Sequence, residues 1–272
     1  MSDPVREGYF TSNGLRLHYR DWGDPAGRPI VLIHGTPSHS RIWDGFARAV
    51  CAAGAWRVIV PDRRGQGESS WASDYSMERY TDDLVALADH LRLTSFCLVG
   101  LSAGGRVAYA YAAAHAEQVE RLVIVDRGPP RTLAGPAPAA ARRASESFGD
   151  LEEAVAAFSI AYPLTPAAAM REAVRHALLR GHDGRWTWRH DPAVTQGIAL
   201  APEAEWALLA RIECPTLLIR GSESTTLVRE TAGRMVAVIP RCELVEIVGS
   251  GHLVPLDKPE AFASAALRFL QS

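Results

Sequence analysis

The sequence predicts an α/β fold in which a mostly parallel central sheet is flanked by helices. Short apolar runs rich in β-branched residues alternate with longer segments that carry apolar residues at helical spacing. The composition agrees, because 47% hydrophobic and 22% charged residues are near the average for globular proteins. A chain of 272 residues can also bury a large core without disulfides or metals.

The predicted strands follow one another along the chain and end at turn residues. Residues 15–22 alternate between apolar and polar, which predicts a half-buried strand. The other predicted strands comprise residues 30–33, 57–60, 96–100, 121–125, 215–220 and 242–248. Two of them, residues 30–33 and 57–60, are compact β-branched runs, typical of strands that a parallel sheet buries on both faces.

The predicted helices lie between and after these strands. Apolar side chains recur at helical spacing within residues 42–50, 80–91, 105–114 and 259–270. Ser76 is a candidate N-cap for the second of them. Right-handed crossovers between parallel strands place such helices on both faces of the sheet.

The alternation of strands and helices stops between residues 127 and 211. Helical stretches occur there near residues 151–162 and 166–180, together with three of the seven tryptophans, Trp186, Trp188 and Trp206. An insertion of mainly helical character between two core strands explains this pattern. Two elongated crossover helices are the alternative.

This interruption gives a predicted division of the chain. We expect residues 1–126 and 212–272 to form one α/β core. We expect residues 127–211 to form a helical cap, inserted after the strand that ends at Asp126. The extra length is then an insertion and not a second independent unit.

Charge and cysteine pattern limit the expected partners. A net charge of −2 gives no attraction to nucleic acid or to an anionic membrane. No apolar run reaches the roughly 18 residues of a membrane span, and the first residues lack the apolar core of a signal peptide. The four cysteines are far apart and form no C-x-x-C pair or metal-binding pattern. We expect a cytoplasmic protein, monomer or homodimer, that acts on a small molecule without a metal or organic cofactor.

The motif Gly100-Leu-Ser102-Ala-Gly104 lies between a predicted strand and a predicted helix. In that setting a G-x-S-x-G sequence is typical of a nucleophile elbow, a sharp turn that projects the serine hydroxyl above the sheet. The helix N-terminus directs backbone amides toward developing negative charge. Ser102 is therefore the candidate nucleophile, and a tight turn with an idle serine is the alternative.

A serine hydroxyl needs a base that accepts its proton, and His252 is the candidate. It follows the last predicted strand, within the segment Gly249-Ser-Gly-His252. The carboxyl ends of parallel strands meet at one edge of the sheet, where α/β folds place their sites. We therefore expect His252 and Ser102 to lie close together.

The loop His34-Gly-Thr36-Pro37 follows the strand at residues 30–33. An oxyanion intermediate needs two preorganised hydrogen-bond donors. The backbone amide of Ala103 is one candidate, and the backbone amide of Thr36 is the other. His34 is a candidate to orient this loop or to contact the substrate.

Four motifs together resemble the α/β-hydrolase superfamily. They are His34-Gly-Thr-Pro37, Pro61-Asp-Arg-Arg-Gly-Gln-Gly67, Gly100-Leu-Ser-Ala-Gly104 and Gly251-His252, in the family's order and at its usual spacing. The resemblance implies an α/β-hydrolase fold, a serine nucleophile, a helical cap and no cofactor. It also implies a structural role for residues 62–65.

The predicted triad also needs an acid that orients the histidine, and two carboxylates are candidates for it. The resemblance implies an aspartate at the position of Ser224, which cannot carry the charge. Asp126 ends the strand after the nucleophile helix and preserves the family's order of serine, acid and histidine. We therefore expect Asp126 to be the acid, with Glu223, one residue before Ser224, as the alternative.

The resemblance and the serine nucleophile imply hydrolysis of a small carboxylic ester or amide through an acyl-enzyme. A C–C bond hydrolase of a vinylogous diketone and a non-catalytic ligand-binding protein are the alternatives. Trp186 and Trp188 are candidate pocket residues, with packing of the cap as the other explanation. Arg185, Arg189 and His190 are candidate ligands for a substrate carboxylate, with a solvated face as the other explanation.

Overall fold

The computed structural model describes residues 5–129, 147–196 and 200–272. Its strands are β1 (Arg6–Ser12), β2 (Leu15–Gly23), β3 (Arg28–Ile33), β4 (Trp56–Pro61), β5 (Phe96–Leu101), β6 (Val119–Val125), β7 (Ser147–Phe148), β8 (Leu178–Arg180), β9 (Trp186–Trp188), β10 (Thr216–Gly221) and β11 (Cys242–Ile247). Its helices are α1 (Asp44–Ala52), α2 (Met77–Leu91), α3 (Ala103–Ala114), α4 (Leu151–Ala161), α5 (Ala167–Ala177), α6 (Pro202–Leu209), α7 (Arg229–Val238), α8 (Val254–Asp257) and α9 (Pro259–Gln271).

One eight-stranded sheet, in the order β1-β2-β4-β3-β5-β6-β10-β11, organises the core. Strands β1 and β2 form an antiparallel hairpin around Asn13-Gly14, and β2 pairs antiparallel with β4. The other pairings are parallel. The predicted α/β fold with a mostly parallel sheet is therefore confirmed. Strand β1 was not predicted, because its first residues are polar and only its end is buried.

Helices cover both faces of this sheet because successive strand residues point to opposite sides. Val31 and Ile33 of β3 belong to a cluster that includes buried residues of α2 and α3. Ile30 and Leu32 of the same strand belong to a second cluster, which α1 and α9 complete. The predicted N-cap residue of helix α2 is confirmed, since the Ser76 side chain accepts a hydrogen bond from the Arg79 amide.

The region predicted as a cap contains helices α4 and α5 and a three-stranded sheet, β7-β9-β8. These elements share a hydrophobic cluster that includes Phe148, Met170 and Trp188. The region is mainly helical, but the helix predicted over residues 166–180 ends at Ala177, because residues 178–180 pair as a strand with residues 186–188. Residues 130–146 and 197–199 of the predicted cap lie outside the described residues.

Helix α6 lies within the predicted cap range but packs on the core. Its Leu209 belongs to the large cluster beneath α2 and α3, and its buried Glu205 forms an ion pair with Arg106 of α3. Trp206 lies beneath the Arg234 guanidinium of α7. Residues 202–209 therefore pack on the core, although they lie within the range predicted for the cap.

Close backbone contact explains the glycines around Ser102. A Cβ at Gly100 would lie 2.4 Å from the Gly104 carbonyl oxygen, and one at Gly104 would lie 2.4 Å from the Ile33 carbonyl oxygen. Ser102 itself has a φ of 55°, in the left-handed region that disfavours a residue with a side chain. The turn between β5 and α3 is therefore strained and tightly packed against β3.

We expect Gly104→Ala to lower the free energy of unfolding by about 1–3 kcal/mol, because the new methyl group overpacks the turn. Gly233→Ala is the matched control: it lies in α7, and no atom lies within 4 Å of its added Cβ. The control should stabilise the protein by up to about 1 kcal/mol through helix propensity. Urea denaturation measures both, and equal effects would contradict the packing argument.

Candidate active site

The structure brings Ser102, His252 and Asp126 together at the carboxyl edge of the sheet. Ser102 follows β5, Asp126 follows β6, and His252 follows β11. The Ser102 Oγ lies 2.9 Å from the His252 Nε2, and the His252 Nδ1 lies 2.7 Å from the Asp126 Oδ2. A continuous hydrogen-bonded chain thus runs from the serine hydroxyl to the carboxylate.

Glu223, the alternative acid, does not contact His252. Its side chain is exposed and accepts a hydrogen bond from the neighbouring Ser222 hydroxyl. Asp126, by contrast, is fully buried. The direct contact with His252 favours Asp126 over Glu223.

The Asp126 carboxylate has further donors besides His252. The Gly221 amide lies 3.2 Å from its Oδ1, and the Ser224 Oγ lies 2.5 Å from its Oδ2. Both donors come from the end of β10 and the loop behind it. The contact with Ser224 was not predicted, although Ser224 occupies the position where the resemblance implied the acid.

The predicted oxyanion loop approaches Ser102 closely. Gly35 lies so near that a Cβ there would be 3.1 Å from the Ser102 Cβ. The Thr36 hydroxyl accepts a hydrogen bond of 2.6 Å from the Arg63 guanidinium. The Arg63 side chain therefore supports Thr36, in keeping with the structural role predicted for residues 62–65.

His34 orients this loop and does not contact the site cavity, so its prediction as a substrate-binding residue is wrong. Its side chain is fully buried and both ring nitrogens have backbone partners. Nε2 accepts from the Arg63 amide at 3.0 Å, and Nδ1 lies 2.8 Å from the Gly35 oxygen. Burial lowers the pKa of His34 to about 3, so its neutral ring donates from Nδ1 to that oxygen.

A cavity of about 630 Å³, its opening to solvent included, leads to Ser102 and His252. The core contributes Thr36 and Leu101 to its lining. The region predicted as a cap contributes apolar side chains: Phe158, Tyr162, Met170, Val174 and Trp188. Between the core and the cap, the site is thus an apolar cavity with few polar groups.

Of the other candidate pocket residues, only Trp188 is among the described lining residues of the cavity. Trp188 lines the cavity, but Trp186 is not among the described lining residues and packs beside the cap cluster. The exposed Arg185 donates to Ser147, and Arg189 pairs with Glu68. His190 is buried against the Trp188 ring. None of these three lines the cavity, so the predicted carboxylate ligands are not brought to Ser102.

Comparison with known proteins identifies the family. The model of the "Alpha/beta hydrolase family" matches residues 30–265. The chain belongs to the alpha/beta hydrolase family. This assignment confirms the resemblance and agrees with the observed sheet.

The relatives of this alpha/beta hydrolase point to hydrolytic chemistry. The chain is 31% identical to a 3-hydroxybutyrate-oligomer hydrolase of Cupriavidus necator, over 92% of this chain and 91% of the relative. It is 27% identical to a bifunctional esterase/perhydrolase of Acinetobacter calcoaceticus, over 97% of this chain and the whole relative. The structure of E-2-(acetamidomethylene)succinate hydrolase has the same fold, with a TM-score of 0.87 at 23% identity over 99% of this chain and all of that one. The family and its esterase relatives together indicate a hydrolase.

The described residues lack two further features. None of their helices combines the length and the apolar character of a membrane span. No group of three or more histidine, cysteine or acidic side chains among them is arranged to hold a metal ion.

His39 links the cap to the cavity and was not predicted from the sequence. It lines the cavity, and its Nε2 lies 2.8 Å from the Ala173 carbonyl oxygen of α5. Burial lowers the pKa of His39 to about 4, so the ring is neutral and donates to that oxygen. Only the folded cap brings Ala173 to this position, which is why sequence pattern gave no signal.

The buried His39 predicts a loss of stability in acid. Its pKa falls from 6.5 to about 4 on folding, so between these pH values the unfolded chain binds the additional proton. The contribution of neutral His39 to the free energy of unfolding is therefore fully present above pH 6.5. As the pH falls toward 4, the free energy of unfolding decreases by about 1 kcal/mol per pH unit for this proton.

The slope of stability against pH gives the number of protons taken up on unfolding. We expect His39→Gln to lower that number by up to one. Urea denaturation at several pH values between 7 and 4.5 measures the slope of stability against pH. His182→Gln, at an exposed loop position, is the matched control and should leave the slope unchanged. A slope in His39→Gln equal to that of the unmodified chain would contradict the assignment.

Proposed function

We propose that the protein is a serine hydrolase that cleaves small carboxylic esters through an acyl-enzyme intermediate. The observation that carries the proposal is the hydrogen-bonded chain Ser102–His252–Asp126 at the base of an apolar cavity. Ser102 is the nucleophile, His252 the base and Asp126 the acid that orients it. The esterase relatives support the same class of reaction.

Acylation begins when the Ser102 Oγ attacks the carbonyl carbon and its proton passes to the His252 Nε2. The carbonyl oxygen becomes an oxyanion, which accepts hydrogen bonds from the backbone amides of Thr36 and Ala103. His252 then donates the proton to the leaving alcohol oxygen. The ester C–O bond breaks and the acyl group remains on Ser102.

Deacylation repeats these steps with water as the nucleophile. The neutral His252 accepts a proton from water, whose oxygen attacks the acyl carbon. The bond to the Ser102 Oγ then breaks, and His252 returns the proton to that oxygen. Asp126 keeps the proton of His252 on Nδ1, which leaves Nε2 free to accept in both half-reactions.

The lining of the cavity supports a small substrate with an apolar acyl or alkyl group. Phe158, Met170 and Val174 offer apolar contacts, and burial of such groups is favourable at about 25 cal/mol per Å². No arginine or lysine lies among the described lining residues. We therefore expect neutral esters to be better substrates than esters that carry a carboxylate.

Labelling and turnover test the nucleophile directly. We expect a fluorophosphonate probe to label the protein, and Ser102→Ala to abolish both labelling and ester turnover, because the attacking oxygen is lost. Ser38→Ala should still label, which shows that another serine of the same cavity is not the target. p-Nitrophenyl acetate, butyrate and octanoate would compare acyl lengths.

Other outcomes distinguish the remaining functions. An unlabelled protein that turns over no ester would favour a ligand-binding role. Labelling with turnover only of anilides, or of a vinylogous diketone, would favour an amidase or a C–C bond hydrolase with the same triad.

Substitution of the two candidate acids, Asp126 and Glu223, should have different effects on turnover. We expect Asp126→Asn to lower kcat on the order of 10³- to 10⁴-fold, because the amide no longer holds the tautomer and charge of His252. Glu223→Gln should retain kcat within about twofold, since its side chain is exposed and contacts Ser222. Steady-state kinetics at pH 7.5 measure both. A reversed order of effects would refute the assignment of the acid.

A further inference from the structure

We infer that Ser224 is a positioning residue, whose hydroxyl fixes the Asp126 carboxylate for its contact with His252. The inference rests on the proposed triad and adds a residue to it. Ser224 touches no reacting atom, so it acts only through Asp126.

The distances place Ser224 and His252 on the same carboxylate oxygen. The Ser224 Oγ lies 2.5 Å from the Asp126 Oδ2, and the His252 Nδ1 lies 2.7 Å from that oxygen. All three side chains are removed from bulk water to a large degree, and Ser224 is only 5% exposed. Hydrogen bonds to a charged acceptor in such surroundings are short and strong.

The direction of the Ser224 proton follows from its other partners. Its Oγ accepts hydrogen bonds from the amides of Thr226 at 3.1 Å and Leu227 at 3.4 Å. A hydroxyl has one proton to donate and two lone pairs to accept with. With both lone pairs occupied, the proton of Ser224 is directed to the Asp126 Oδ2.

The loop that carries Ser224 is itself held in place. The Ser224 amide donates to the Gly221 oxygen at 3.0 Å. The buried Arg220 guanidinium donates to the oxygens of Ser224 and Leu227 and pairs with Glu246 of β11. The hydroxyl is therefore presented by a loop that several backbone and side-chain hydrogen bonds hold in place.

Asp126 needs the Ser224 donor because of its position directly after β6. Its φ of 48° is unusual for a residue with a side chain, and its carboxylate must cross from β6 toward the β11 loop. The Gly221 amide holds Oδ1, and Ser224 holds Oδ2 in the direction of His252. Loss of the Ser224 hydroxyl would leave Oδ2 with His252 as its remaining side-chain donor.

A double-mutant cycle separates positioning from a structural role. We expect Ser224→Ala to lower kcat for p-nitrophenyl butyrate about tenfold with KM within twofold, because the affected contact acts in the transition state. In the Asp126→Asn background the same substitution should change kcat less than twofold, since the charged carboxylate that Ser224 positions is lost. The rate of fluorophosphonate labelling gives a second readout for slow variants.

Controls make every outcome decisive. Thr225→Ala, at an exposed neighbouring position, should retain kcat. If Ser224→Ala does not fold by circular dichroism, Ser224→Cys keeps the shape with a weak donor and replaces it in the cycle. Equal losses in both backgrounds, or no loss in either, would overturn the inference. Absence of labelling in the unmodified protein would instead refute the proposed function, and the inference with it.

Discussion

The full burial of the Asp126 carboxylate is the constraint on which the rest of the site depends. A carboxylate removed from water has to be met by hydrogen-bond donors. Here the donors are His252, Gly221 and Ser224, which come from the ends of β10 and β11. Because β6, β10 and β11 are neighbours in the sheet and run parallel, their carboxyl ends meet at one edge. The strand order thus satisfies the buried charge and sets His252 beside Ser102.

The same edge holds two strained residues in place. Ser102 and Asp126 both have positive φ values, which cost on the order of 1–3 kcal/mol each for residues with side chains. The Ser102 amide donates to the Val125 oxygen at the end of β6, and the Asp126 amide donates to the Ile219 oxygen of β10. Each strained residue is therefore fixed by the next strand along the sheet, just beyond the point where its own strand ends.

The sequence predicts those residues of the site that lie directly after the ends of strands. Ser102, Asp126 and His252 each follow an apolar run, and the geometry of a parallel sheet brings such residues together whatever the loops do. Ser224 and His39 depend on a loop fold and on the seating of the cap, which no local pattern encodes. His34 was wrongly expected in the pocket because its neighbours Gly35 and Thr36 do line it, while its own ring turns inward to backbone groups.

The loop that follows β4 contains the family motif at residues 61–67, and it contacts two other parts of the molecule. On one side, the Asp191 amide near the end of the cap strands donates to the Gly65 oxygen at 2.8 Å, and the Tyr75 hydroxyl donates to the Asp191 carboxylate at 2.6 Å. On the other side, Arg63 donates to the Thr36 hydroxyl at 2.6 Å. One loop therefore contacts both the segment at Asp191 and the loop that carries Thr36, and it supports Thr36. The apolar wall of the cavity is thereby held in a fixed position relative to the carbonyl that Ser102 would attack.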